Sequence, residues 1–478
     1  MGIAGYLAFC MAGGPCAPLS MAITSGKEKL GTMETVHGPD DPAVAPEPGE
    51  AMNGDTMVIW KPGFLITIIA IALVAIIFTA AFMAFYTFLE KVIWLDNEFV
   101  RSNRWTIPVG VLFFSLLVGL SQKYLHAPTM IEGGFTDALM EGKLEENHRT
   151  FPGAFCSSIL SLVSGASVGP EGTITLLVGQ LASWTRERFR LAGESETTTL
   201  GFDTAALASA FNGIIGSPVF TGVLATEFQI GKKNAYTLLI WNLVAGLVGY
   251  LFYLALGFAS FYDMVPLPPV DVLSPGMILC AVLLGVVGSL LALFAGLAMK
   301  GFGKVMEAAF SGRVILRTLA AGAVIAAVCY FLPALLFSGE AQIHPILSNP
   351  AGVGVALLLV YGVLKILLLA LSFKSGFVGG PIFPILFSST MIGLALSLLF
   401  PSVPVAIFVL CIEAAAIALG LGAPLTAMLL VVVVSAPSVP LTALIVTSAV
   451  TAMVFGAMMK ERVARRNRKK IQPVARPA

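Results

Sequence analysis

The sequence predicts an all-α, polytopic membrane protein with broken and tilted helices, and three observations carry that reading. Hydrophobic residues make up 57% of the 478 and charged residues only 12%, with a mean hydropathy of +0.91; a water-soluble domain of this size needs far more polar surface. Apolar runs at 64–89, 236–260, 276–299, 351–373 and 440–459 are long enough to cross about 30 Å of hydrocarbon at roughly 1.5 Å per residue. Beside them lie shorter apolar pieces at 154–164, 205–215, 219–225 and 381–388, each broken by Gly or Pro. A piece too short to span must end inside the membrane, where open backbone groups are tolerated only against protein or a hydrated cavity. Such helices mark an ion path.

Taken in order, residues 1–57 form a lead unlike the rest. Its first part is weakly apolar without a basic n-region, which makes a poor secretory signal. The stretch 26–55 is rich in Pro, Gly and acids and cannot bury enough apolar area to order itself. This predicts a disordered or surface-lying cytoplasmic segment. A linker at 261–274 then divides the remainder into halves at 58–262 and 272–460. The halves echo each other: Ser167-Val168-Gly169-Pro170-Glu171-Gly172 and Ser217-Pro218-Val219 in the first, Gly376-Phe377-Val378-Gly379-Gly380-Pro381 and Gly422-Ala423-Pro424-Leu425-Thr426 in the second. Interrupted helices at corresponding places are the mark of a repeat transporter.

The basic tail at 461–478 follows the last run. Between Lys460 and Lys470 stand seven Lys or Arg against one Glu, which by the positive-inside rule puts the C-terminus in the cytoplasm. A nucleic-acid tail is the rival; the orientation signal, with anionic lipid as its contact, is preferred. The net charge of +1 points to no nucleic-acid partner. A tail of roughly 18 residues is too short to fold a regulatory domain. The six cysteines show no paired metal-ligand spacing, so no metal and no cofactor is expected.

Glu171 is the first residue to weigh, since it stands in an apolar stretch behind Gly169 and Pro170, with Gly172 and Thr173 after it. Intramembrane carboxylates are costly and by default mark ion paths. Glycines let backbone N–H groups approach a ligand, and a helix start carries roughly half a positive charge. The carboxylate would hold the anion's place until it is protonated or swings away, which makes it a gate. The bland alternative is a helix-start acid stabilised by the dipole. Gly380, Ile382 and Phe383 form a second helix opening of the same kind.

These segments resemble the CLC chloride channel and transporter family. Ser167 to Thr173 is similar to the signature around its gating glutamate, Gly376 to Pro384 to its Gly-x-Phe-x-Pro signature, Phe211-Asn212 with Pro218 to Glu227 to its Phe-Asn-Ala-Pro…Glu stretch, and Gly422 to Thr426 to its late Ala-Pro-Leu-Thr motif. The resemblance covers about 60–460 and is nearest to a divergent bacterial branch. It implies an inverted-repeat CLC-type fold, a homodimer with an anion pore in each subunit, and a multi-pass protein of the bacterial inner (plasma) membrane. It implies an anion site of Gly169, Pro170, Gly172, Thr173, Gly380, Ile382 and Phe383, with Met130 opposite the position of the family's anion-holding serine. No tyrosine follows Tyr361, so the family's central tyrosine is missing too. Thr173 in place of proline resembles the fluoride-exporting members. Glu227 falls at a structural position and Phe228 at the proton-acceptor position, where the usual glutamate is absent. The expectation is passive transport of small anions, chloride foremost, with proton-coupled chloride or fluoride antiport as the alternative.

One enzyme reading competes. Gly165-Ala166-Ser167-Val168-Gly169 fits Gly-x-Ser-x-Gly and would suggest an intramembrane serine protease. None of His37, His126, His148 and His344 lies in a clear apolar span to serve as its base. A cation-coupled transporter of organic anions would call for more intramembrane charge than Glu171, Glu227, Lys365, Lys374 and Glu413 provide.

Overall fold

A computed structural model describes residues 62–128, 148–189, 196–227, 235–262 and 264–471. Met130 and Phe228 lie outside the described residues, as do the lead at 1–57 and the last part of the tail, 472–478.

Among the described residues every regular element is helical, apart from one isolated antiparallel bridge between Gly169 and Gly380. The first half contains α1 (Pro62–Glu90), which runs into a π turn (Lys91–Leu95), then α2 (Glu98–Ser102), α3 (Thr106–Tyr124), α4 (Phe151–Val163), α5 (Pro170–Arg188), α6 (Glu196–Ile215), α7 (Phe220–Glu227) and α8 (Ala235–Leu256). The second contains α9 (Pro275–Phe310), α10 (Val314–Phe331), α11 (Glu340–Ser348), α12 (Pro350–Val353), α13 (Val355–Ser375), α14 (Ile382–Leu399), α15 (Val405–Leu421), α16 (Pro424–Ser435) and α17 (Val439–Ile471). Eight of these stretches are long and apolar enough to cross a membrane. The chain is an integral, multi-pass membrane protein.

Two pieces predicted to be short are longer. The run at 205–215 is the end of α6, and the run at 381–388 opens α14, which continues to Leu399. Polar residues at their margins, Thr204 and Thr390, are satisfied locally, so the helices run on through them. Thr204 donates to Leu200 O at 2.9 Å, and the Thr390 hydroxyl lies 2.8 Å from Leu386 O and 2.7 Å from Glu413 Oε1, either of which can accept its single hydrogen. A hydroxyl bonded to its own helix costs little in an apolar setting. The short pieces at 154–164 and 219–225 do appear, as α4 and α7.

Side-chain contacts fix the helix directions. Ser448 donates to Cys411 O, and a Cβ on Gly456 would meet Leu419, so α15 and α17 run parallel. Thr390 meets Glu413, and a Cβ on Gly393 would meet Val409, so α14 runs against α15. Ala292 of α9 clusters with Leu419 and Ala452, placing α9 alongside both. Thus α9, carrying Lys300 and Lys304 near its end, and α17, carrying Lys460 and Arg462, finish on one face, called here the basic face. The chain returns through α10; contacts of Gly119 with Thr318 and of Ser115 with Gly322 set α3 antiparallel to it. The C-terminal end of α3 therefore lies at the basic face, and the N-terminal end of α14 sits at mid-depth.

One buried cation braces the opposite side. Lys365 of α13 is 0% exposed, and its ammonium donates to Leu335 O (3.2 Å), Leu336 O (3.4 Å) and Phe337 O (2.5 Å). These carbonyls lie past the end of α10, where no following turn can pair them. Phe337 N in turn donates to Gly165 O at 3.2 Å. Lys365→Met is expected to leave the carbonyls without donors and to destabilise the protein by about 3 kcal/mol. A lowered thermal midpoint in detergent, read by loss of the monodisperse chromatographic peak, checks this.

Candidate functional site

Two glycine turns meet in the middle of the protein. Gly169 N donates to Gly380 O and Gly380 N to Gly169 O, both at 2.8 Å. The paired turns come from corresponding places in the two halves and open α5 and α14. Close approach is what the glycines permit. A Cβ on Gly172 would fall on the Gly379 carbonyl, and one on Gly380 would fall on the Glu171 side chain. Each turn is also pinned from behind: Ser167 N donates to Ser372 Oγ at 3.2 Å and Val378 N to Ser161 Oγ at 3.0 Å.

Glu171, in the first turn of α5, reaches across to the start of α14. Its Oε1 accepts from Ile382 N at 2.6 Å and from Phe383 N at 3.4 Å. The first N–H groups of a helix have no partner within it and carry the positive end of its dipole. The carboxylate therefore stands where a free anion would bind. It is 4% exposed, and its Oε2 has no hydrogen-bond partner. Geometrically the site is a carboxylate supplied by one half, seated on the helix opening of the other.

The other expected residues divide by what they offer. Gly169, Pro170, Gly172, Thr173, Gly380, Ile382 and Phe383 all gather around Glu171 or in the turns that hold it. Pro170 has no N–H to give, and its carbonyl accepts the Thr173 hydroxyl at 2.6 Å. Thr173 is thus turned onto its own helix. Phe383 is buried, and Phe261 from the inter-half linker lies on it with ring centroids 4.3 Å apart. Phe261, Ser161 and Ser372 were not singled out from sequence. The spacing of Ser157, Ser161 and Ser164 along one face of an apolar helix was the available signal.

Glu227 sits apart from this centre. Its carboxylate accepts from Leu425 N (2.8 Å), Thr426 N (2.9 Å) and Thr426 Oγ1 (2.7 Å). It therefore caps α16 from the far half, satisfying N–H groups that the helix leaves open. Glu227→Ala is expected to cost about 1.5–3 kcal/mol, as loss of hydrogen bonds to a charged acceptor does; unfolding of purified protein in detergent measures it. Glu413 is 0% exposed with the Thr390 hydroxyl on Oε1. Lys374 is half-buried, its methylenes 3.5 Å or more from where a Gly303 Cβ would be. Ser167 Oγ has no hydrogen-bond partner, so among the described residues no base is set against it.

Comparison with known proteins agrees with this architecture. The profile of the voltage gated chloride channel family matches residues 114–456. No curated protein sequence matches the chain. Among solved structures, a CLC-type fluoride/proton antiporter is similar with a TM-score of 0.67 at 17% identity, over 82% of this chain and 94% of its own. A slow cyanobacterial Cl−/H+ antiporter gives 0.69 at 18%, over 85% and 99%. A eukaryotic CLC transporter gives 0.62 at 17%, over 84% and 72%. At such identities the likeness is one of fold, which is the CLC type. A profile match across most of the membrane region, on a fold of that type, makes the chain a member of the voltage-gated chloride channel family, whose members transport anions.

Proposed function

We propose that the protein passes small inorganic anions, chloride foremost, along a path gated by Glu171. The observation that carries the reading is the Glu171 carboxylate on the Ile382 and Phe383 N–H groups. An anion bound there competes with the carboxylate for the same donors, so anion and charged gate exclude each other. Protonation removes the charge and frees the helix opening. Gly169, Gly172 and Gly380 keep the backbone close enough for this exchange, and Ile382 and Phe383 supply the N–H groups. The basic face is the cytoplasmic side by the positive-inside rule. The lead, the two half-repeats, the tail and a homodimer with one path per subunit complete the proposal.

Passive conduction is preferred because the position of the usual proton acceptor is Phe228. Proton-coupled antiport of chloride or fluoride is the second reading, favoured by the antiporters among the similar structures and by Thr173 beside the gate. Efflux from chloride-loaded proteoliposomes, with and without a proton ionophore, separates them. Chloride efflux that moves no protons supports the passive path. Uphill proton movement coupled to chloride establishes exchange, and fluoride efflux without chloride efflux shifts the substrate.

A further inference from the structure

The linker between the halves is tied to both of them by hydrogen bonds. Phe261 N donates to Ile214 O at the end of α6 at 2.8 Å, and Val265 N donates to Val434 O near the end of α16 at 3.1 Å. Further on, Val270 N donates to Ser438 Oγ at 3.2 Å, and the same hydroxyl donates to Val270 O at 2.7 Å. At Gly216, whose φ of +77° suits glycine, the chain passes so close to the linker that a Cβ would meet Ser260 and Tyr262. The linker lies on the side away from the basic face. Only residues 91–105 separate the end of α1 from the start of α3, so α1 ends on that opposite side. Ser209 donates to Ala72 O and the Phe202 ring stacks on Phe64, so α6 runs parallel to α1. A Cβ on Gly201 would meet Trp241 and one on Gly213 would meet Tyr253, so α8 runs parallel to α6 and carries the linker to the same side.

One side chain of this linker reaches the site. The Phe261 ring lies on the Phe383 ring with centroids 4.3 Å apart and planes at 49°. Phe383 is 2% exposed and its N–H is one of the two that face the Glu171 carboxylate, whereas Phe261 is half-buried. Phe261 is therefore the layer between the start of α14 and water on the side opposite the basic face. We propose that Phe261 is a specificity-determining lid on that side of the anion path, favouring anions that shed water easily, chloride above fluoride. The proposal rests on the reading that anions bind at the start of α14. Two phenyl rings in contact offer no hydrogen-bond donor, and their edges carry only a weak positive charge, which suits a large, polarisable anion. An apolar constriction acts by excluding water. A charge stripped of water without a hydrogen-bonded partner is penalised, and the more so the more strongly it was hydrated. Fluoride is the more strongly hydrated of the two halides, so the lid hinders it more. The anchors on Ile214, Val434 and Ser438 hold the ring in place before an anion arrives.

The test uses proteoliposomes that hold the full-length protein and are loaded with equal chloride and fluoride, each efflux being read by its own ion-selective electrode. The ratio of the two fluxes does not depend on how much protein is folded. Phe261→Ala should lower the chloride-to-fluoride ratio by about threefold to tenfold, since water admitted beside the anion supplies a hydrogen bond that is stronger to fluoride. Phe261→Gln fills the space with a polar side chain and should lower the ratio likewise, so the result is read even where alanine yields little protein. Phe261→Tyr keeps the ring and can turn its hydroxyl to water, and should show the wild-type ratio. A merely structural role would lower both fluxes together, so an unchanged ratio in the alanine and glutamine variants overturns the lid. A tyrosine variant that behaves like the alanine one overturns it too. Wild-type fluoride efflux in excess of chloride efflux overturns the lid and the chloride reading together. Glu171→Gln in the same vesicles separates the two ideas. If it leaves the pH dependence of flux intact while Phe261→Ala lowers the ratio, the gate reading fails and the lid stands; if it removes the pH dependence while Phe261→Ala keeps the ratio, only the lid fails.

Discussion

Glu171→Gln raises chloride flux at neutral pH by about twofold to thirtyfold and flattens its dependence on pH. The glutamine keeps the size of the side chain and can still accept from Ile382 N, but it has no charge to hold against the start of α14. A hydrogen bond to a charged group contributes about 1.5–3 kcal/mol where a neutral one contributes about 1. Losing that difference of about 0.5–2 kcal/mol from the closed arrangement moves the gate toward the open one by about twofold to thirtyfold, at roughly 1.4 kcal/mol per decade. The sign of the wild-type dependence follows. Lowering pH protonates the carboxylate, releases the helix opening and increases flux, whereas the variant lacks the titrating group. Efflux from proteoliposomes across a range of pH reads both effects. Wild-type flux and pH dependence in the variant would remove Glu171 from the gate.

Gly172→Ala abolishes the assembled site. The added Cβ would overlap the carbonyl of Gly379, which is backbone and cannot rotate away as a side chain can. Relief requires the two turns to separate, breaking the reciprocal Gly169–Gly380 hydrogen bonds and carrying the Glu171 carboxylate off Ile382 N. Overpacking of this kind costs on the order of 3 kcal/mol or more. Little monodisperse protein is expected, and what remains should pass no chloride above background. Gly301→Ala is the control. Gly301 lies within α9 with nothing near its Cβ position, so alanine there should stabilise the helix by about 0.5–1 kcal/mol. Equal loss of folded protein in both variants would refute close packing at the turns.

Much of the architecture was legible in the chain because its causes are local. Runs of apolar residues must cross a bilayer, basic residues stay on one side of it, and Gly-Pro pairs open helices wherever they stand. Hence 64–89 and 236–260 anticipated α1 and α8, and Gly169-Pro170-Glu171 announced an acid at a helix start inside the membrane. Helix length was less legible where hydroxyls interrupt an apolar run, as at Thr204 and Thr390, since only the folded backbone shows that those hydroxyls are satisfied. Partnership was not legible at all. Nothing near Glu171 in sequence indicates that its carboxylate bonds to Ile382, more than two hundred positions away, or that Glu227 caps α16. A sequence determines which groups are too costly to leave in hydrocarbon; the tertiary structure decides which partner meets each of them, because a hydrogen bond depends on distances of about 3 Å that only the packed helices set.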